Sequence, residues 1–147
     1  MNLEFSLHLE STSEKLIKSM LCFEKMSTFL PRQLKSIKIL EETDNKIVTE
    51  EILEFKTLIK NEIKQTSVHT LISNNKINTK IISGPAKGTN VDFLFKDLET
   101  GVEVSVNVDL QLSLKAKFLS PIIKKCYKHL LMGTLLKIDQ SIMENLN

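Results

Sequence analysis

Val102, Val104, Val106, Val108, Leu110 and Leu112 take every second position of one stretch, and Glu103, Ser105, Asn107, Asp109, Gln111 and Ser113 fill the positions between them. Successive side chains of a strand point to opposite faces, so the alternation predicts a strand with one face on a core and the other in water. An apolar sheet face has to be covered by another layer. The chain therefore needs a sheet with something packed on one side.

The same period opens the chain. Leu3, Phe5, Leu7 and Leu9 alternate with Glu4, Ser6, His8 and Glu10, which predicts a first strand with one buried face. The period then changes: Ser11, Thr12 and Ser13 offer N-cap oxygens, and Leu16, Ile17, Met20, Leu21, Phe23 and Met26 fall at helical spacings between Glu14 and Phe29. One bent helix or two short ones, ended by Pro31, are expected there. Strand patterning returns in a hairpin, Lys35 to Glu42 and Lys46 to about Leu58, around Asp44-Asn45. Three more strands are expected over 62–72, 76–83 and 90–97, divided by Ser73-Asn74-Asn75 and by the loop Gly84-Pro85-Ala86-Lys87-Gly88.

The last segment, about Phe118 to Leu146, has Ser120 and Pro121 placed to start a helix. Ile122, Ile123, Cys126, Tyr127, Leu130, Leu131, Leu135, Ile138 and Ile142 give it a wide apolar stripe. At 1.5 Å per residue it would be ~40 Å long, enough to cross a whole sheet. No helix interrupts the later strands, so the sheet should be antiparallel and this helix should cover it. The expected fold class is α+β, a helix grip: about seven strands curved around a long C-terminal helix, with two short helices after the first strand, all in one domain over 1–147.

The 147 residues suit a single core. Twenty basic against 18 acidic residues leave a net charge of +2, too little for the concentrated basic face that nucleic acid requires. No apolar run reaches the ~18 residues of a membrane span, and Met1 to Glu10 reads as neither signal nor transit peptide. Cys22 and Cys126 both fall in apolar helical patterns and make no disulfide scaffold, so a reducing cytoplasm is expected.

This element order resembles the Bet v 1-like, START-related (SRPBCC) superfamily. Phe29-Leu30-Pro31 before the strand Ser36 to Glu42, the loop Gly84-Pro85-Ala86-Lys87 and the strand Asn90 to Phe95 look like its coenzyme Q-binding, polyketide cyclase/dehydrase-type branch. The chain departs from that branch at Ala86, where an aromatic or bulkier apolar residue is common, and at Phe93, near a usual tryptophan. The glycine-rich loop of the plant allergens is also missing, since the hairpin turns on Asp44-Asn45.

The resemblance implies a cavity between sheet and last helix that binds or carries a lipid, isoprenoid quinone or polycyclic compound, and in some members cyclises polyketides. It implies no cofactor. The faces expected inside place Phe5, Ile81, Phe93, Phe95, Val104 and Val106 on the sheet side of the ligand, and Tyr127, Leu130 and Gly133 on the helix side. Pro31, Pro85 and Lys87 are expected at the mouth. These faces carry almost no polar anchors, which suits a ligand held by burial.

His69 is the candidate for orienting a ligand's polar end, although its strand face, with Gln65 and Ser67, is expected to look outward as polar strand faces usually do. No His or Cys has partners at metal-ligand spacing, and no local Cys/His pair suggests a nucleophile. Glu50, Glu51, Glu54 and Glu62 are read as a solvated edge rather than an acid/base pair. Lys115, Lys117, Lys124, Lys125 and Lys128 form a modest basic patch. That patch is read as a solvated face; because lysines near a helix N-terminus oppose its dipole, transient contact with phosphates or a membrane surface is the alternative expectation. Two rival readings stand beside the carrier: a cyclase-like enzyme, which needs a polar pair inside the cavity, and a protein- or ribosome-interaction module with a filled core.

Overall fold

The computed structural model describes residues 1–26, 34–54 and 62–145. In chain order these form β1 (Asn2–Leu9), α1 (Ser13–Met20), α2 (Phe23–Met26), β2 (Leu34–Glu42), β3 (Lys46–Leu53), β4 (Ile63–Ser73), β5 (Lys76–Ser83), β6 (Asn90–Asp97), β7 (Val102–Asp109) and α3 (Ser120–Asn145), with one 3-10 turn at Lys117–Leu119. The strands make one seven-stranded sheet in the order β1-β7-β6-β5-β4-β3-β2, antiparallel at every pair.

Sequence neighbours from β2 to β7 pair antiparallel, and the connections β2–β3, β4–β5, β5–β6 and β6–β7 are short and rich in turn formers. Gly84 shows the chemistry best. It has φ +101°, and a Cβ there would sit 2.8 Å from the Lys64 carbonyl oxygen, so the turn after β5 requires glycine. β1 then closes on β7, with Phe5 opposite Val106 and Leu7 opposite Val104.

The alternation that predicted β7 is observed as burial. Val102, Val104, Val106 and Val108 are buried, and Glu103, Asn107 and Asp109 are exposed. β7 nevertheless stops at Asp109, short of the expected Ser113. Its partners run out there: Asp109 pairs with Asn2 and with Asn90, the first residues of β1 and β6. Leu110 still buries its side chain, and its N–H donates to the Met1 carbonyl at 2.8 Å.

α3 runs 26 residues, about 39 Å at 1.5 Å per residue, across the inner face of the sheet. Ile123, Tyr127, Leu130, Leu135 and Ile138 are buried, but Ile122 is 45% exposed. It stands about 100° around the helix from Ile123, which puts it outside the stripe it was expected to join. Asp139, buried in α3, accepts hydrogen bonds from the Glu10 and Ser11 N–H groups at 3.0 and 2.9 Å, fixing the helix to the end of β1.

The expected helical stretch is two helices, α1 and α2, parted at Leu21-Cys22. The expected stop at Pro31 and the extension of β3 to Leu58 lie outside the described residues. Cys22 and Cys126 are free. Among the described residues, no helix is long and apolar enough to cross a membrane.

Candidate functional site: a cavity with one polar wall

Between the sheet and α3 lies a cavity of about 120 Å³. Ile77 and Ile81 of β5 and Val91 and Phe93 of β6 form its floor. α3 contributes Tyr127, Leu130, Leu131 and Thr134, and Phe23 and Met26 of α2 close one side. Met20, Leu21, Leu34, Ile37 and Leu53 add to the apolar lining, and one stretch of wall is polar: Glu51 of β3, Gln65, Ser67 and His69 of β4, and Thr79 of β5.

Register explains that wall. In β3 and β4, Ile47 faces His69, Thr49 faces Ser67 and Glu51 faces Gln65, all on the cavity side of the sheet. Thr49, Glu51, Gln65, Ser67 and His69 are all buried. The expectation that the Gln65/Ser67/His69 face looks outward is therefore corrected. The opposite face of β4, with Lys64, Thr66, Val68 and Thr70, is no more apolar, so composition could not assign the inner side, and the register with β3 decides it. The expectation of a cavity almost free of polar anchors falls with it.

Buried polar groups require partners, and most of these have them. The Thr49 hydroxyl donates to Glu51 Oε1 at 3.0 Å and lies 2.7 Å from His69 Nε2. A hydroxyl has one proton, so Thr49 must accept from His69, which places a proton on Nε2. His69 Nδ1 is 2.8 Å from the Thr79 hydroxyl, which can donate to it in the neutral ring. The His69 ring also packs on Phe23, with centroids 4.5 Å apart. Thr79, His69, Thr49 and Glu51 thus form one directed chain of hydrogen bonds. Glu51 Oε2 ends it: this oxygen is buried and has no hydrogen-bond partner among the described residues.

The Tyr127 hydroxyl donates to Gln65 Oε1 at 3.1 Å. Burial, and secondarily the Glu51 charge, push its pKa well above the ordinary tyrosine value, so it remains a phenol and a donor. Burial likewise raises the Cys126 thiol, against a smaller opposing effect of Lys125, which argues against a thiolate nucleophile. Among the described residues, no cluster of His, Cys, Asp or Glu could hold a metal ion.

Of the residues proposed from sequence, His69, Ile81, Phe93, Tyr127 and Leu130 stand on the cavity wall. Phe95, Val104 and Val106 are buried in the core away from it, Phe5 is half-buried on the edge strand β1, and Gly133 is half-buried on α3 without lining it. Pro85 borders a separate crevice of about 20 Å³ that shares Tyr127 with the main cavity. Lys87 is exposed, and Pro31 lies outside the described residues.

Glu50 pairs with Lys64, and Glu54 and Glu62 both pair with Lys35, as a solvated edge would. Glu51 breaks that pattern, because a strand sends alternate residues to opposite faces. Glu51, Thr49 and the α2 residues were not legible as site residues in the sequence.

No protein-family model matches the chain, and no curated protein matches it. Solved structures do. TTHA0849 from Thermus thermophilus superposes with a TM-score of 0.85 over 100% of both chains at 9% identity. The fold is the START-like helix grip. A START superfamily protein from Mycobacterium smegmatis matches this chain with a TM-score of 0.77, 16% identity and 99% of both chains covered. The di-domain ARO/CYC StfQ from the steffimycin biosynthetic pathway matches with a TM-score of 0.82 and 13% identity over 99% of this chain and 51% of its own, so the chain spans about half of StfQ.

Proposed function

We propose that residues 1–147 act as one domain that binds or carries a small apolar molecule between the sheet and α3. The observation that carries this reading is the cavity of about 120 Å³, with an apolar floor and roof. An apolar cavity of ~150 Å³ takes up benzene, whereas sites for drug-sized ligands run to about 300–1,000 Å³. A molecule of about one ring fits. A lipid, isoprenoid quinone or polycyclic compound enters only if α2 and α3 move apart.

The structural likeness to a START superfamily protein and to an ARO/CYC protein supports a cavity used for ligands. An interior void also speaks against the filled core of an interaction module. A cyclase-like enzyme is the second reading, favoured by the His69-Thr49-Glu51 chain on the cavity wall. The free cysteines suit a reducing cytoplasm. The carrier reading includes transient membrane contact, through exposed Leu114 and Phe118 beside Lys115 and Lys117.

Toluene tests the reading. Titrated against the protein, it should shift the NMR methyl signals of Ile81 and Leu130 saturably. Thr134→Leu, which fills the cavity from a helix position where leucine is a good former, should abolish those shifts and leave the fold intact. Absence of saturable shifts in the wild-type protein would overturn the reading.

A further inference from the structure

Glu51 is 7% exposed and lines the cavity. Its Oε1 accepts from Thr49, while Oε2 has no donor among the described residues. Burying a carboxyl oxygen without a partner costs more than leaving it in water, and a folded protein keeps such an atom where something else satisfies it. None of the donors on the same wall, the Thr49, Ser67 and Tyr127 hydroxyls and the Gln65 amide, reaches Oε2 among the described residues. The Thr49 proton goes to Oε1, and the Tyr127 hydroxyl goes to Gln65. No lysine or arginine lines the cavity among the described residues.

Resting on the ligand-binding reading above, we infer that the cavity selects a compact apolar ligand bearing one hydrogen-bond donor, an O–H or N–H, which Glu51 Oε2 accepts while the apolar body lies on Phe93, Ile81 and Leu130. The volume limits the body to about one ring. The sign of the wall limits the polar end. An anionic end, carboxylate or phosphate, would meet Glu51 with no cation to offset it. The Glu51 charge is already felt by Tyr127, whose hydroxyl it helps to keep protonated. An acceptor-only end such as a ketone or ether would leave Oε2 as it is. A phenol or an aniline satisfies it, and a hydrogen bond to a charged acceptor is stronger than a neutral one.

The test compares three molecules of nearly one shape: toluene, phenol and aniline. Phenol or aniline should bind the wild-type protein at least about tenfold tighter than toluene, the preference expected of one hydrogen bond to a charged group. Glu51→Gln keeps the side-chain shape but puts a carboxamide where the carboxyl stood, and should remove the preference while toluene still binds. A second measurement needs no variant. The carboxyl-carbon resonance of Glu51 should move on adding phenol or aniline and stay fixed with toluene. If all three probes bind the wild type equally, or if the preference survives in Glu51→Gln, the role of Glu51 is overturned and the cavity reading stands. If none of the three binds the wild type, both fall together.

Discussion

Glu51 Oε1 and His69 Nε2 lie 3.7 Å apart, beyond direct hydrogen-bonding distance, and the Thr49 hydroxyl bridges them with contacts of 3.0 and 2.7 Å. An acid and a base on adjacent strands are thus coupled through a third side chain rather than paired. The bridge fixes the His69 ring and directs its Nε2 proton toward Thr49, leaving the far oxygen of Glu51 buried without a partner among the described residues. The arrangement can bind a donor. It can also pass the Nε2 proton of His69 to Glu51 through the Thr49 hydroxyl once the ring has taken a second proton at Nδ1, which is why the enzyme reading keeps its place as the second one.

Thr49→Val tests the bridge. Valine matches threonine in shape and suits a strand, so the backbone should persist, while Glu51 Oε1 and His69 Nε2 each lose a buried partner. The expected loss of stability is about 1–3 kcal/mol, read as a lower urea midpoint with an unchanged slope. Thr49→Ser, which restores the hydroxyl, should recover most of it. Equal midpoints for wild type and Thr49→Val would mean that the relay holds nothing together.

The fold was legible because its signals are periodic. β7 alternates over its whole length, and α3 buries Ile123, Tyr127, Leu130 and Ile138 at helical spacing, so neither needed a partner to be recognised. The site was legible where it is apolar, at Ile81, Phe93 and Leu130. Of its polar wall only His69 was a candidate, on a face expected to look outward. In β3 the outward Val48 and Ile52 are as apolar as the inward Ile47 and Leu53, and the inner face carries Thr49 and Glu51 between them. A strand with two similar faces has its inner side fixed by pairing register and tertiary packing, and neither is written in one segment's composition. Cavity membership was harder still. Phe95, Val104 and Val106 share the inward orientation of Phe93, yet they pack into the core, and only the placement of α3 and α2 separates a wall from an interior.

Asp97 gives the fold a pH dependence of definite sign. Its carboxylate accepts from the Ser13 hydroxyl at 2.6 Å and from the Ser13 N–H at 2.9 Å, at the start of α1. The hydroxyl bond first, and the backbone bond second, hold its pKa below the ordinary aspartate value. A group with a depressed folded-state pKa stabilises the fold above its unfolded value, and loses that contribution as pH falls through the folded one. Stability should therefore decline below about pH 4, and Asp97→Asn should flatten part of that decline. The effect is small, because Asp97 is exposed and solvent screens it. Denaturation midpoints that fall equally with acid in both proteins would remove Asp97 from the account.

The last expectation concerns the surface leading into α3. Leu114 and Phe118 are 83% and 78% exposed, and Ile122 is 45% exposed one helical turn beyond Phe118. Large apolar side chains gathered on an exposed surface mark contact sites more often than scattered ones do. Lys115, Lys117 and Lys125 are exposed among them, close to a helix N-terminus whose dipole already repels cations. Apolar side chains among lysines suit an anionic lipid surface, where each basic residue contributes about 1 kcal/mol and salt weakens the attraction. The protein should co-sediment with vesicles containing phosphatidylserine more than with pure phosphatidylcholine. Phe118→Ala and the double change Lys117→Glu/Lys125→Glu should each reduce that binding. Because Phe118 is exposed, its truncation should shift stability by no more than about 0.5 kcal/mol, so lost binding would report the surface and not the fold. Equal sedimentation with both vesicle types would remove the lysines from the argument, and unchanged sedimentation of Phe118→Ala would remove the apolar patch.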